Sequence, residues 1–331
     1  MQVSVVIPTY NRAEALVETL AHLAKQVFDH PWQVIVVNNR CTDDTDEILG
    51  RQSFPVPLQL VHESTPGAAA ARNAGAAAAS GDWLIFLDND ILVEPDFVRR
   101  HYEAVTTYPG CWIVGQIVNL PAQERTPFGQ FRKALSPYIA PEYGVSEART
   151  FTGANVSMPR TDLEHLGGFD ESLAIAAEDL DLALRARHAG VQILFDPSII
   201  GLHNDWAGFS IRDYCVRQQL YSRSEPLLWH KYGVDHPRPA LVHKNLPTRW
   251  QQDCPSLLLQ KMVKRLVGRH MVQSALFRVC SVIEQIWPYP PLLWRVYRLL
   301  LAAAIYKGFQ EGLSIHQLRV DGTQLPRELS A

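Results

Sequence analysis

Asp88 and Asp90 stand one residue apart at the end of an apolar run, and they are the pair in this sequence best suited to chemistry. In extended backbone, side chains two apart point the same way. Oxygen ligands converging beside a loop are what Mg2+ or Mn2+ requires when a diphosphate shares the ion. Acids that merely decorate a turn would show the same tripeptide. A second constellation, GAAAARNAG over 67–75, sets Arg72 behind four small residues and between two glycines. Small residues let backbone approach a ligand, and an arginine there can fork onto a phosphate or a base edge. The other reading is a good alanine helix carrying a surface salt bridge of little worth. A third group, Glu178, Asp179 and Asp181, opens a helical pattern that Arg185, Arg187 and His188 close and Gly190 stops. That polarity matches the helix dipole, so these acids serve either the helix end or a reaction.

Elements that would position these residues follow from hydrophobic periodicity. Residues 3–7, 33–37, 58–62 and 83–87 are short apolar runs bounded by polar or Pro/Gly signals, and they are predicted strands. Helical patterns at 12–26, 43–49 and 67–79 lie between them, which implies a parallel sheet with crossover helices. Ligands bind such sheets beyond the carboxyl ends of the strands. Those ends carry Pro8, Thr9, Tyr10 and Asn11, then Asn38, Asn39 and Arg40, then Asp88, Asn89 and Asp90. Further strands are predicted at 111–118, 191–195 and 199–202, the last leading to His203 and Trp206. From about residue 236 the pattern is helical only, with one helix from Leu257 to the break at WPYPP (287–291) and another over 292–308.

The motifs VSVVIPTYNR (3–12), GAAAARNAG (67–75), LDND (87–90), GGFDE (167–171) and EDLD (178–181) together resemble the family 2 glycosyltransferases of GT-A fold. The resemblance covers about residues 1–210 and lies in the order of the five motifs. It implies an α/β fold, Rossmann-like, with a mostly parallel sheet flanked by helices. It also implies transfer of a sugar, with inversion, from a nucleotide diphosphate donor in the presence of Mn2+ or Mg2+. Carried over by position, Pro8, Thr9, Asn11, Asn38 and Arg72 line the nucleotide pocket, with Asp88, Asn89 and Asp90 at the ribose, diphosphate and metal. His203 matches a histidine that completes the metal site with Asp90. The catalytic base falls in the Glu178–Asp179 pair, with Asp179 preferred. Gly153, Ala154 and Asn155 form the acceptor-side floor, and Trp206 either stacks on a sugar or packs in the core. One departure concerns the end of the second strand, where the family commonly carries a carboxylate for the base and this chain has Asn38-Asn39-Arg40, with no acid before Asp43. An asparagine carbonyl still accepts one N–H without charge assistance, so uracil or thymine stays open as the base, with a UDP-sugar the favoured donor.

Composition bounds the remaining possibilities. The 331 residues are 47% apolar and 20% charged, which excludes wholesale disorder and fibrous repeats. Five scattered cysteines without a C-x-x-C pair exclude a zinc ribbon or disulfide framework and suit a reducing compartment. The net charge of -3 hides an asymmetry: residues 1–235 hold 18 Lys+Arg against 29 Asp+Glu, and residues 236–331 hold 13 against 5. Two regions are therefore expected, a catalytic domain over 1–235 and a basic, mainly helical region over 236–331. The basic region would either contact an anionic membrane or pack on the first domain. No secretory signal and no apolar run long enough to span a bilayer are visible, so a cytoplasmic protein, peripheral at the inner membrane face, is expected. A glycan or lipid-linked acceptor is expected and nucleic acid is not. Two other function classes stay open: a nucleotidyltransferase on a related sheet, and a binding or membrane-docking protein with an inactive site.

Overall fold

Val3–Thr9 (β1) and Trp32–Asn38 (β2) are almost wholly apolar because both faces of these strands are covered. Val5, Ile7, Val34 and Val36 enter one buried cluster, while Val6, Ile35 and Val37 enter another on the opposite face. The computed structural model describes residues 2–51, 53–135, 144–173, 177–205, 209–236, 238–286 and 290–318. In chain order the early elements are β1, α1 (Ala13–Leu23), β2, α2 (Thr45–Arg51), β3 (Leu58–His62), α3 (Ala68–Ala78), β4 (Trp83–Leu87), β5 (Ile91–Val93), α4 (Phe97–Thr107) and β6 (Trp112–Asn119). There follow α5 (Pro121–Glu124), α6 (Pro127–Leu135), β7 (Ser146–Glu147), β8 (Asn155–Pro159), α7 (Arg160–His165), α8 (Glu178–His188) and β9 (Ile193–His203). The last are α9 (Ile211–Tyr221), α10 (Glu225–Tyr232), α11 (Pro239–Asn245), α12 (Pro255–Val267), α13 (His270–Ile286) and α14 (Pro290–Ile315).

The sheet order is β3-β2-β1-β4-β8-β6-β9-β5, with β7 paired to β9. Pairing directions make β3, β2, β1, β4, β6 and β9 run one way and β8, β5 and β7 the other, so the sheet is mostly parallel. Where two strands were expected around Pro197, β9 is continuous. Its register against β6 jumps from Gly115↔Asp196 to Gln116↔Ile200, so Pro197, which has no N–H to donate, falls in the bulge. Gly75 sets the closeness of α3 to the sheet: a Cβ there would stand 2.3 Å from Val6 Cγ1 and 2.9 Å from Val37 Cγ2.

Two compact units divide the chain. One holds the sheet with α1–α4, α7 and α8; the other holds α5, α6 and α9–α14. In the second unit, Tyr297, Leu300, Ala303 and Ala304 of α14 form the middle of a buried cluster. Gly308 and Gly312 let α14 lie against α9, since a Cβ would come within 2.0 Å of Gln219 O at the first and 2.2 Å of Arg223 O at the second. After β9 the described elements are all helical, starting at Ile211, upstream of residue 236, where the sequence pattern put the change. The single helix expected from Leu257 is two, α12 and α13, parted at Gly268 and Arg269. Glycine is a poor helix former, and α14 passes close by, with Ala303 O 3.8 Å from where a Gly268 Cβ would stand. No described helix is long and apolar enough to cross a membrane. All five cysteines are free thiols.

Candidate active site

Arg72, one turn into α3, is buried and joins three distant acids. Its Nη1 donates to Glu178 Oε1 at 2.7 Å and reaches Asp179 Oδ1 at 3.5 Å, while Nη2 donates to Asp88 Oδ1 at 3.0 Å. Gly153 makes room for it, because a Cβ there would lie 2.4 Å from Arg72 Cζ. Burial works against the guanidinium charge, but Asp179, Asp88 and Glu178 outweigh it and hold the proton more firmly than usual. Asp179 responds differently. Burial pushes its carboxyl up to about 7, with Glu178 adding to the rise, while Arg72 and the N–H of Gly153, 2.8 Å from Oδ2, pull the other way. Asp88 is also raised, by burial first and with Arg72 opposing, although part of its carboxylate still meets solvent.

The D-x-D carboxylates do not lie on extended backbone. The strand ends at Leu87 and the chain turns, with Ile91 N–H donating to Asp88 O. Alternation along a strand therefore does not govern them, and they meet different partners: Asp88 faces Arg72, and Asp90 faces Arg12 and the His203 imidazole. Arg12 Nη1 sits 2.5 Å from Asp90 Oδ2, and His203 Nε2 lies 3.5 Å from the same oxygen. Arg12 also approaches buried Asp205 at 3.7 Å. A carboxylate oxygen and an imidazole nitrogen at this separation are donors that Mn2+ or Mg2+ accepts. Among the described residues no group of three such side chains converges, so substrate oxygens and water would have to complete the shell. With that completion the residues fit the ion, and Arg12 is the group that would have to withdraw.

Residues assigned to the nucleotide side are partly committed to one another. Pro8 and Thr9 end β1, and Thr9 Oγ1 accepts from Asn89 Nδ2 at 2.7 Å, which turns Asn89 inward. Asn11, at φ 50°, accepts from Thr42 N–H at 2.7 Å and so ties the two loops together. Asn38 is buried; its Oδ1 accepts from Cys41 N–H at 2.6 Å and its Nδ2 donates to Asp46 Oδ1 at 2.5 Å. Asp46 was missed in the sequence. Standing in the first turn of α2 and half exposed, it brings a carboxylate to the end of β2, and hydrogen bonds from His62 and Asn38 hold its pKa below the ordinary carboxylate range. Its signal lay in helix geometry, since α2 folds Asp46 back toward Asn38, eight residues earlier. Arg12 was also missed, although it closes the VSVVIPTYNR motif.

On the acceptor side, Gly153 lies against Arg72 and Asp179 as described. Ala154 is buried, and its carbonyl accepts from Asp88 N–H. Asn155 points into the core, where Nδ2 donates to Ile199 O at 3.0 Å and Oδ1 meets His101 Nε2 at 3.0 Å. Its link to the site is therefore through the backbone of β8. Trp206 lies outside the described residues.

Comparison with known proteins agrees with this architecture. The profile of glycosyl transferase family 2 matches residues 4–150, and that of glycosyl transferase family group 2 matches residues 83–309. Validoxylamine A glucosyltransferase of Streptomyces hygroscopicus subsp. jinggangensis is 29% identical over 219 residues, 57% of this chain and 52% of that protein. Pre-mycofactocin glycosyltransferase of Mycobacterium tuberculosis is 27% identical over 242 residues, 71% of this chain and 48% of that protein. The chain thus spans about half the length of these relatives. Among solved structures, the mannosyltransferase PcManGT from Pyrobaculum calidifontis, in complex with GDP-Man and Mn2+, has TM-score 0.60 at 20% identity over 93% of this chain and 87% of that one. TarS 1–349 of S. aureus, in complex with UDP-GlcNAc, has TM-score 0.51 at 17% identity over 96% and 92%. At these identities the structural likeness is one of fold, the GT-A fold. With five motifs in order and a family profile running through most of its length, the chain belongs to glycosyltransferase family 2.

Proposed function

We propose that this protein is an inverting glycosyltransferase that moves a sugar from a nucleotide diphosphate donor to a hydroxyl of a glycan or lipid-linked acceptor, with Asp179 as general base. The acceptor O–H attacks the anomeric carbon, the bond from that carbon to the diphosphate oxygen breaks, the nucleoside diphosphate leaves, and the hydroxyl proton passes to Asp179. What carries the reading is Asp179 itself. A carboxyl raised to about 7, held by Gly153 N–H and flanked by Arg72, matches a base working near neutral pH. Glu178, bound to Arg72, keeps the guanidinium in place behind it.

Pro8, Thr9, Asn11, Asn38, Arg72, Asp88, Asn89 and Asp90 form the proposed nucleotide-sugar side, and Gly153, Ala154 and the backbone of Asn155 the acceptor side. Asp90 and His203 would hold Mn2+ or Mg2+. When bound, the ion supplies positive charge to the departing diphosphate. Asp46 supports a base whose ring N–H faces the end of β2, and a UDP-sugar is favoured. The neighbours' donors, GDP-Man and UDP-GlcNAc, belong in the panel to be tried. A cytoplasmic location with peripheral contact to an anionic membrane goes with a lipid-linked acceptor.

The test is a panel of nucleotide sugars scored by thermal shift with and without Mn2+, followed by proton NMR of the product made from the donor that binds. A donor that binds should stabilise the native state by mass action, and its effect should fall with chelator. The new linkage should have the anomeric configuration opposite to the donor's. Retention of configuration would refute the inverting mechanism, and no shift with any donor would refute the transferase reading.

A further inference from the structure

In the second unit, consecutive helices α12 and α13 each expose an apolar stripe. On α12 it consists of Leu259, Met262 and Leu266, and on α13 of Met271, Val279, Val282 and Ile286; these seven side chains are between 48% and 84% exposed. Their spacing of three, four, seven and eight residues puts each set on one face of its helix. The opposite faces are buried through Leu257, Val267, Phe277 and Cys280, so the exposed stripes are extra to what the fold needs. Isolated apolar residues on a surface need no explanation, but stripes running the length of two helices do.

Charge decides what covers them. Over residues 254–300 there are seven Lys and Arg against one acid, Glu284. Glu284 is engaged by the Tyr297 hydroxyl, and the two lysines, Lys261 and Lys264, are buried, Lys261 against Asp253 and Lys264 against Asn245. Arg265, Arg269 and Arg278, which border the stripes, are exposed. A second copy of this chain would bring like charge against like. An anionic lipid surface takes the apolar side chains into its acyl boundary and pairs the arginines with headgroups.

We infer that the exposed faces of α12 and α13 are the surface by which this protein docks on an anionic membrane. This rests on the peripheral contact proposed above and gives it residues. It also fits a transferase whose acceptor is carried by lipid.

The experiment is flotation of the full chain with vesicles of phosphatidylcholine alone and of phosphatidylcholine mixed with phosphatidylglycerol, at low and physiological salt. The wild type should float with the anionic vesicles and less well as salt rises. Leu266→Glu combined with Val282→Glu should cut the bound fraction by about tenfold or more, since both apolar burial and charge attraction are lost. Arg265→Glu combined with Arg278→Glu should remove the preference for phosphatidylglycerol. Donor-induced thermal shifts of the same variants should match the wild type, which keeps a failure of docking distinct from a failure of the transferase reading. The inference is overturned if the wild type does not float, if the variants float equally well, or if sedimentation finds a dimer that Leu266→Glu with Val282→Glu converts to monomer.

Discussion

At the scale of residues, buried Arg72 holds Glu178, Asp179 and Asp88 with two terminal nitrogens, Glu178 nearly buried and Asp179 and Asp88 partly open to solvent. Removing Arg72 strands the Glu178 charge away from water, while Asp179 and Asp88 regain only part of their solvation. Arg72→Met is expected to cost about 3–5 kcal/mol in urea unfolding, as for a broken buried ion pair. Arg72→Lys should recover only part of this, because an ammonium keeps the charge but not the fork. The ARN motif was legible in the sequence, but its partners were not. Its local setting points Arg72 to a phosphate or a base edge, whereas two of its acids lie 106 and 107 residues further on, and no local pattern relates them. Asp46 was hidden for a related reason: read along the chain it comes after the end of β2, and only the turn of α2 returns it to Asn38.

At the scale of elements, β1, β2 and β4 were legible because a strand covered on both faces must be apolar throughout, and the half-exposed edge strand β3 by its short run of Leu58, Leu60 and Val61 between polar signals. Residues 58–62 and 83–87 were located to the residue. The antiparallel strands β5, β7 and β8 were not: β5 and β7 are only three and two residues long, and the polar Asn155 and Ser157 break the apolar run of β8. Two predictions belong here. Gly75→Ala forces a methyl into Val6 and Val37 across the α3–sheet interface and should destabilise the fold by about 1–3 kcal/mol in denaturant unfolding. The second concerns α4 against β8, where His101 is wholly buried between Ser157 Oγ at 2.9 Å and Asn155 Oδ1 at 3.0 Å. Asn155 Oδ1 can only accept, so Nε2 carries the proton and Nδ1 accepts from the Ser157 hydroxyl, leaving the ring neutral. Burial lowers its pKa to about 4 from an ordinary 6.5. The folded state then binds fewer protons than the unfolded one between those values. Stability is full above pH 6.5 and falls as pH drops toward 4, by up to about 3 kcal/mol from this group. Unfolding curves across that range should show the decline, and His101→Gln should flatten it, even though the variant is less stable at neutral pH.

At the scale of the whole molecule, the acidic and basic halves of the sequence already pointed to two kinds of structure, and the chain folds as a sheet-centred unit and a helical one. The helices α9 and α10, which precede residue 236, were not legible because, unlike α12, they carry no clean apolar stripe and have acids among their bases. Family membership was legible because five motifs fall in order, four of them at a strand end or helix start and GGFDE in the turn after α7. What the order of motifs could not supply is the electrostatic state of the site, which depends on burial. That state is the centre of the proposal: a carboxyl that burial raises to about 7 and that would take the acceptor's proton during sugar transfer. Single-turnover transfer rates across pH, for the wild type and Asp179→Asn with donor affinity measured alongside, test it most directly. The account predicts a wild-type rate that rises with pH through about 7, and a variant slowed by about a hundredfold or more whose donor affinity is nearly unchanged. A variant that transfers at close to the wild-type rate, or one that loses donor binding as fully as activity, would contradict it.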